Sequence, residues 1–276
     1  MNSKVLMIIG MGRSGTSVIT QWINKCGLSV GEELLGSAIG NVEGHFEDMD
    51  FLMLHEEILI SNNLSWTGLK GGGSLAVTTE QKEKIQEIIE RKNKLHTQWG
   101  WKDPRTCLFL PLYKELLPQS KYLIIVRDHS AVTDSLLRRD FAYIEKEHRS
   151  KKSTVSNFIW TLFNKRKEKK SYYALNAEKY LKTCIDYNQQ IINAMNLLSP
   201  FDYMVVNYQY LKTKNKKVFD KLTRSWKFEL NYVDFNSIYK DDFLHEKNNI
   251  ASFIKDKLLL RKAEELEIII RSQIEI

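Results

Sequence analysis

Lys4-Val5-Leu6-Met7-Ile8-Ile9-Gly10-Met11-Gly12-Arg13-Ser14-Gly15-Thr16-Ser17 is the stretch on which the fold turns. Five apolar residues follow Lys4 without a break and stop at a glycine, the pattern of a strand buried on both faces of a parallel sheet. From about residue 14 to 26, Val18, Ile19, Trp22 and Ile23 share one helical face, and Gly27 is a stop signal. The chain therefore opens as a strand, a glycine-rich turn and a helix.

The same alternation continues outward. Gln98–Lys102, Tyr122–Val126 and Tyr203–Val206 read as further strands, with a helix from about 130 to 139 after the third. Helical periodicity also marks 48–61, 80–95, 177–198 and 249–273. These elements predict an α/β fold, a single domain over 1–276 with a central, mainly parallel sheet flanked by helices. A core at about 1–140 and 200–212 would carry a helical region at about 140–200 and C-terminal helices at about 212–276. Two places read as irregular. One is the loop 68–74; the other is 145–170, which holds nine Lys/Arg against three Glu.

The chain has 276 residues, 43% hydrophobic and 27% charged, with a net charge of +7, so disorder is excluded and an anionic partner is favoured. No apolar run is long enough to span a bilayer. Cys26, Cys107 and Cys184 are scattered, with no CxxC, so no zinc ribbon or disulfide framework is indicated. A reducing cytoplasm is the expected compartment. His55, His96, His129, His148 and His245 lack metal-ligand spacing and read as structural or solvated.

Between a buried strand and a helix, the turn at 10–17 has the setting of an anion cradle. Glycines allow close approach, the helix start offers free N–H groups, and Ser14, Thr16 and Ser17 add hydroxyls. An NTPase loop would need lysine after the second glycine. Gly10 and Gly15 keep that spacing, but Thr16 stands at the lysine position and the cation has moved upstream to Arg13. The third strand ends Val126-Arg127, so a cation also replaces the aspartate expected to hold a metal ion. A plain strand–helix turn and an Arg127 salt bridge to Asp128 or Asp134 are the bland alternatives.

The turn resembles the phosphosulfate loop of the PAPS-dependent sulfotransferases, with Gly12 where that pattern has proline. A strand ending in Arg127, with Ser135 eight residues on, is similar to the family's 3′-phosphate pair. Lys102-Asp103-Pro104-Arg105, residues 41–48 (NVEGHFED) and Asn207-Tyr208-Gln209-Tyr210-Leu211 match further bacterial segments, the last with both acids replaced. The animal Arg-Lys-Gly closing segment is not visible. The resemblance implies a P-loop NTPase-like fold and a nucleotide site of Gly12, Arg13, Ser14, Gly15, Thr16, Ser17, Arg127, Ser135 and Tyr208. It also implies sulfuryl transfer from PAPS, leaving PAP, with no metal. Lys102 would stabilise charge on the bridging oxygen. Glu47 is the favoured general base, with His45 and Asp103 as alternatives. The acceptor would be a small molecule or glycan bearing a hydroxyl or amine, not a nucleic acid. Trp99 and Trp101 could shape the cleft or belong to the core. A P-loop kinase and a basic polyanion binder using 145–170 remain the competing readings.

Overall fold

The computed structural model describes residues 3–37, 39, 44–65, 75–239 and 248–274. Residues 41–43 of the upstream motif, the loop 68–74 and His245 lie outside these. Four strands form one sheet: β1 (Lys4–Ile9), β2 (Gln98–Lys102), β3 (Lys121–Val126) and β4 (Tyr203–Asn207). Their order is β2-β1-β3-β4, and every pairing is parallel. The registers Ile8 with Lys102, Ile9 with Ile124 and Val126 with Asn207 bring the carboxyl ends of all four strands to one edge. In an open parallel sheet that edge is where ligands bind.

Because strand side chains alternate, each apolar strand feeds two cores. Val5, Met7, Ile9, Trp99 and Trp101 pack on one side, against α2 (Met49–Ser61) and α7 (Lys165–Leu197). Leu6, Ile8, Leu123 and Val206 pack on the other, against α1 (Thr16–Lys25) and the segment after β4 that begins with α8 (Leu211–Asp220). Around these stand α3 (Thr79–Leu95), α4 (Leu110–Leu116), α5 (His129–Lys151), α6 (Thr154–Ile159) and α9 (Lys257–Arg271). The chain is thus a single α/β domain with a four-stranded parallel sheet.

Two helical expectations change. The helical region expected over about 140–200 takes in the basic stretch 145–170, where the helix expected to end near 139 runs on as α5 to Lys151 and α7 begins at Lys165. Long charged side chains favour helix, and the pairs Glu145–Arg149 and Glu147–Lys151 tie successive turns. A single π turn, Trp160–Asn164, joins α6 to α7. The helix expected over 249–273 starts only at Lys257. Asp256 caps it, accepting from the Leu258 and Leu259 N–H groups and fixing its start after the short 3-10 turn Ile250–Phe253. All three cysteines are free and buried. No helix among the described residues is long and apolar enough to cross a membrane.

Candidate functional site

The loop after β1 is shaped by three close approaches. A Cβ on Gly10 would stand 2.4 Å from the Ile125 carbonyl of β3. Gly15 has φ 94° and lies under the Tyr208 ring, where a Cβ would come within 2.1 Å of a ring carbon. Between them Arg13 takes the left-handed conformation at φ 74°, uncommon for a side-chain-bearing residue. Gly15 caps α1 with no side-chain hydrogen bond, so the amides at the helix start have no capping oxygen from that residue. Ser14 and Thr16 are buried in the turn, and Gly12 packs loosely on Pro104.

Arg13 and Arg127 converge over this loop. Arg13 Nε donates to Ser135 Oγ at 3.0 Å, and Arg127 Nη1 donates to the Arg13 carbonyl at 3.1 Å. The Arg127 guanidinium stands 5.4 Å from the centre of the Tyr208 ring. Neither arginine has an ion pair among the described residues. Asp128 pairs with Arg271, and Asp134 with Arg138, so the bland partners for Arg127 are engaged elsewhere. Burial, helped by the like charges of Arg139, Arg127 and Arg138, pushes the Arg13 guanidinium down to about 10. Arg138 and Arg139 are paired with Asp134 and Asp140, but Arg13 and Arg127 are held together without an ion-pair partner among the described residues, which points to an anionic ligand. The sequence reading missed Arg138 and Arg139. They follow Ser135 by three and four residues, one turn along the same helix, and that spacing was the available signal.

The second cluster sits at the end of β2. Lys102 Nζ donates to Glu47 Oε1 at 2.9 Å, and Arg105 Nη2 lies 3.4 Å from Glu47 Oε2. Arg105 also holds Asp103 at 2.8 Å and Glu56 at 2.6 Å. Asp103 is fully enclosed; its second oxygen meets His55 Nδ1 at 2.8 Å, and His55 Nε2 meets Tyr113 Oη at 2.6 Å. Burial works to raise Asp103, yet Arg105 and His55 together hold its carboxyl far below the usual range. Burial lowers Lys102 despite Glu47.

His45 stands between the clusters. Its Nδ1 is 3.9 Å from Glu47 Oε1, and its side chain is more exposed than that of Glu47, 23% against 9%. Burial, together with the nearby charges of Lys102, Arg13 and Arg139, lowers the imidazole below its ordinary value even though Glu47 opposes this. That direction favours the neutral imidazole, the form able to accept a proton.

The tryptophans belong to the core. Trp101 stacks on Phe51 at 4.2 Å and donates to Thr106, and Trp99 donates to Asn93. A further acidic group, Glu32, Asp48 and Asp50, surrounds buried Lys92 at 2.6, 2.7 and 3.2 Å. That lysine supplies the cation the three acids would otherwise seek.

No family model matches the chain. Over 55 residues it is 40% identical to a putative protein-tyrosine sulfotransferase of Caenorhabditis briggsae, a match covering 20% of each protein. The chain thus aligns with only a fifth of that curated relative's length. Among solved structures it resembles a sulfotransferase domain from the curacin biosynthetic pathway, with a TM-score of 0.52 and 14% identity, covering 96% of this chain and 98% of that one. A sulfotransferase from Alicyclobacillus acidocaldarius superposes equally well, with a TM-score of 0.52 and 11% identity over 98% and 97% of the two chains. At these identities the likeness establishes the fold: this chain has the architecture of the sulfotransferases.

Proposed function

We propose that the protein is a sulfotransferase that moves a sulfuryl group from PAPS to a hydroxyl or amine of a small metabolite or carbohydrate. The observation that carries this reading is the convergence of Arg13 and Arg127 on the glycine loop with no carboxylate partner among the described residues. A guanidinium fork matches phosphate bidentately and keeps its charge. Arg127 with Ser135 suits the 3′-phosphate. The loop amides, Arg13 and the loop hydroxyls suit the phosphosulfate end, and Tyr208 offers a ring face beside Arg127. The donor supplies the activated sulfuryl group.

The acceptor proton must leave as its oxygen or nitrogen bonds to sulfur and the bond from sulfur to the phosphate oxygen breaks. His45 takes that proton, with the nearby Glu47 carboxylate stabilising the imidazolium by its charge. Lys102 and Arg105 hold Glu47 in place, and Asp103 with His55 holds Arg105. This ranks the three candidates afresh: His45 as base, Glu47 as its electrostatic partner, and Asp103 as scaffold. Arg13 stabilises charge growing on the departing phosphate oxygen. With Arg127 where a metal-binding aspartate would stand, and the loop cation supplied upstream by Arg13 rather than by a lysine after Gly15, the proposed reaction needs no metal. Three free buried cysteines fit a reducing compartment such as the cytoplasm.

Calorimetric titration tests the reading. PAP binds without metal, and Arg13→Ala or Arg127→Ala weakens it about 10- to 100-fold, the span of a charged hydrogen bond. Binding of ATP with Mg²⁺ in place of PAP would make the protein a kinase. Binding of PAP equally to wild type and both variants would remove the site. For the base, His45→Asn abolishes turnover and leaves PAP affinity intact, whereas Glu47→Gln lowers turnover less. The reverse order would return the role to Glu47.

A further inference from the structure

The helical hairpin formed by the end of α5, α6, the π turn and the start of α7 presents apolar side chains that no other part of the described residues covers. Val155, Phe158, Leu162 and Phe163 are 69%, 65%, 58% and 73% exposed. Their spacing of three, four and one residues places them on one side of the short helix and π turn. Trp160 points the other way. It is buried, stacks on His148 at 4.4 Å and donates to Glu168 at 2.8 Å, so the orientation of the apolar row is anchored.

Cations surround this row. Residues 145–170 hold nine Lys/Arg against three Glu, nearly all of the chain's net charge of +7. The three acids are engaged locally: Glu145 with Arg149 and Lys165, Glu147 with Lys151, and Glu168 with Trp160. Lys152, Arg166, Lys167 and Lys170 are exposed and have no ion pair among the described residues. Arg166 and Lys170 continue the helical face of Leu162 and Phe163 by steps of four. The tip is also distant from the loop site. Sixteen residues of α5 separate Ser135 from Lys151, about 24 Å at the rise of an α-helix.

We propose that this tip is a docking surface for an anionic lipid bilayer. Phe158, Leu162 and Phe163 would enter the acyl boundary while the flanking lysines and arginines meet lipid phosphates. Exposed aromatics on a convex helix ringed by cations are the composition of interfacial membrane anchors. A second copy of the chain is the poorer occupant. Two such tips placed face to face would bring like charges together, and the row is too short for a stable dimer interface. Nucleic acid would use the cations and leave the apolar row unexplained. The inference stands apart from the proposed chemistry, because it uses none of the loop residues.

Co-sedimentation with vesicles tests it. The full chain binds vesicles of phosphatidylcholine with phosphatidylserine and does not bind phosphatidylcholine alone. Phe158→Ser with Phe163→Ser weakens binding by at least about tenfold. Arg166→Gln with Lys170→Gln weakens it roughly fivefold for each charge removed. Both variants keep Trp160, and an unchanged circular dichroism spectrum confirms that they fold. The proposal falls if the wild type ignores anionic vesicles, or if binding survives loss of both phenylalanines. It falls equally if the wild type forms a concentration-dependent dimer that the phenylalanine variant abolishes, since the row then serves self-association.

Discussion

The two buried charge clusters at the carboxyl edge of the sheet are built on opposite rules. Around the end of β2, every charge is answered: Lys102 and Arg105 by Glu47, Arg105 again by Asp103 and Glu56, and Asp103 by His55. Around the loop after β1, Arg13 and Arg127 are answered by a serine, a carbonyl and a ring. Neutral partners orient a guanidinium without cancelling its charge. The first cluster is therefore finished without a ligand, whereas the second leaves positive charge to be spent on one. Like charges held together unneutralised also cost folding free energy, a cost found at binding sites more often than in scaffolds.

Stability measurements can break this contrast most directly. Arg105→Ala leaves buried Asp103 with the His55 ring as its side-chain partner and Glu47 with Lys102, and is expected to cost about 3–5 kcal/mol in urea unfolding. Arg127→Ala removes a half-buried cation from beside other cations. Its expected cost is below about 1 kcal/mol, since the lost hydrogen bond is offset by relieved repulsion. The effects on PAP are reversed, with Arg127→Ala losing affinity outright. If both variants unfold equally easily, the loop cluster is as structural as the other, and the site assignment loses its basis.

Gly15 sharpens the same contrast at the level of packing. Any Cβ there meets the Tyr208 ring, and φ 94° disfavours every side chain. Gly15→Ala is expected to cost about 1–3 kcal/mol and to weaken PAP, because the ring must move off the loop and away from Arg127. Combining it with Tyr208→Ala relieves the clash, so the stability losses add to less than their sum. Full additivity would mean that ring and loop are energetically independent, and Tyr208 would lose its claim to the site.

Much of this arrangement was legible in the chain, and the exceptions have a common cause. All four strands and their parallel direction follow from short strand-like runs alternating with helical periods, whereas the order β2-β1-β3-β4 does not. The placement of Arg13 and Arg127 beside the loop was legible because each sits at the junction of a strand and a helix; Ser135 and Tyr208 were singled out only by the family resemblance. The Asp103–His55–Tyr113 chain was not, since His55 lies 48 positions from Asp103 and 58 from Tyr113, and the three meet only through the packing of α2 and α4. No local pattern encodes such a meeting. The helical character of 140–200 was legible in the helix propensity of its lysines and glutamates, but the break between Lys151 and Lys165 was not, since the π turn there depends on where Trp160 packs.

The end of β3 offers the finest test. Asp128 answers Arg271, and Glu267 answers His129 and Arg271, so Arg127 is the cation left without a carboxylate there among the described residues. Burial works to raise Glu267, but its hydrogen bonds from the His129 ring and backbone N–H outweigh this and hold it down to about 2. Its folded value lies below its unfolded value of 4.5, so the unfolded chain binds the extra proton. The stabilisation is complete above about pH 4.5 and is lost as pH falls toward 2. Discounted for solvent screening, it amounts to about 1–2 kcal/mol. Glu267→Gln should therefore unfold more easily than wild type at pH 7, and the difference should shrink as both are titrated below pH 4.5. PAP affinity should barely change, because Glu267 belongs to the paired class. A large loss of PAP in this variant would show that α9 helps hold the nucleotide, and the line between paired scaffold and unpaired site would have to be redrawn through this helix.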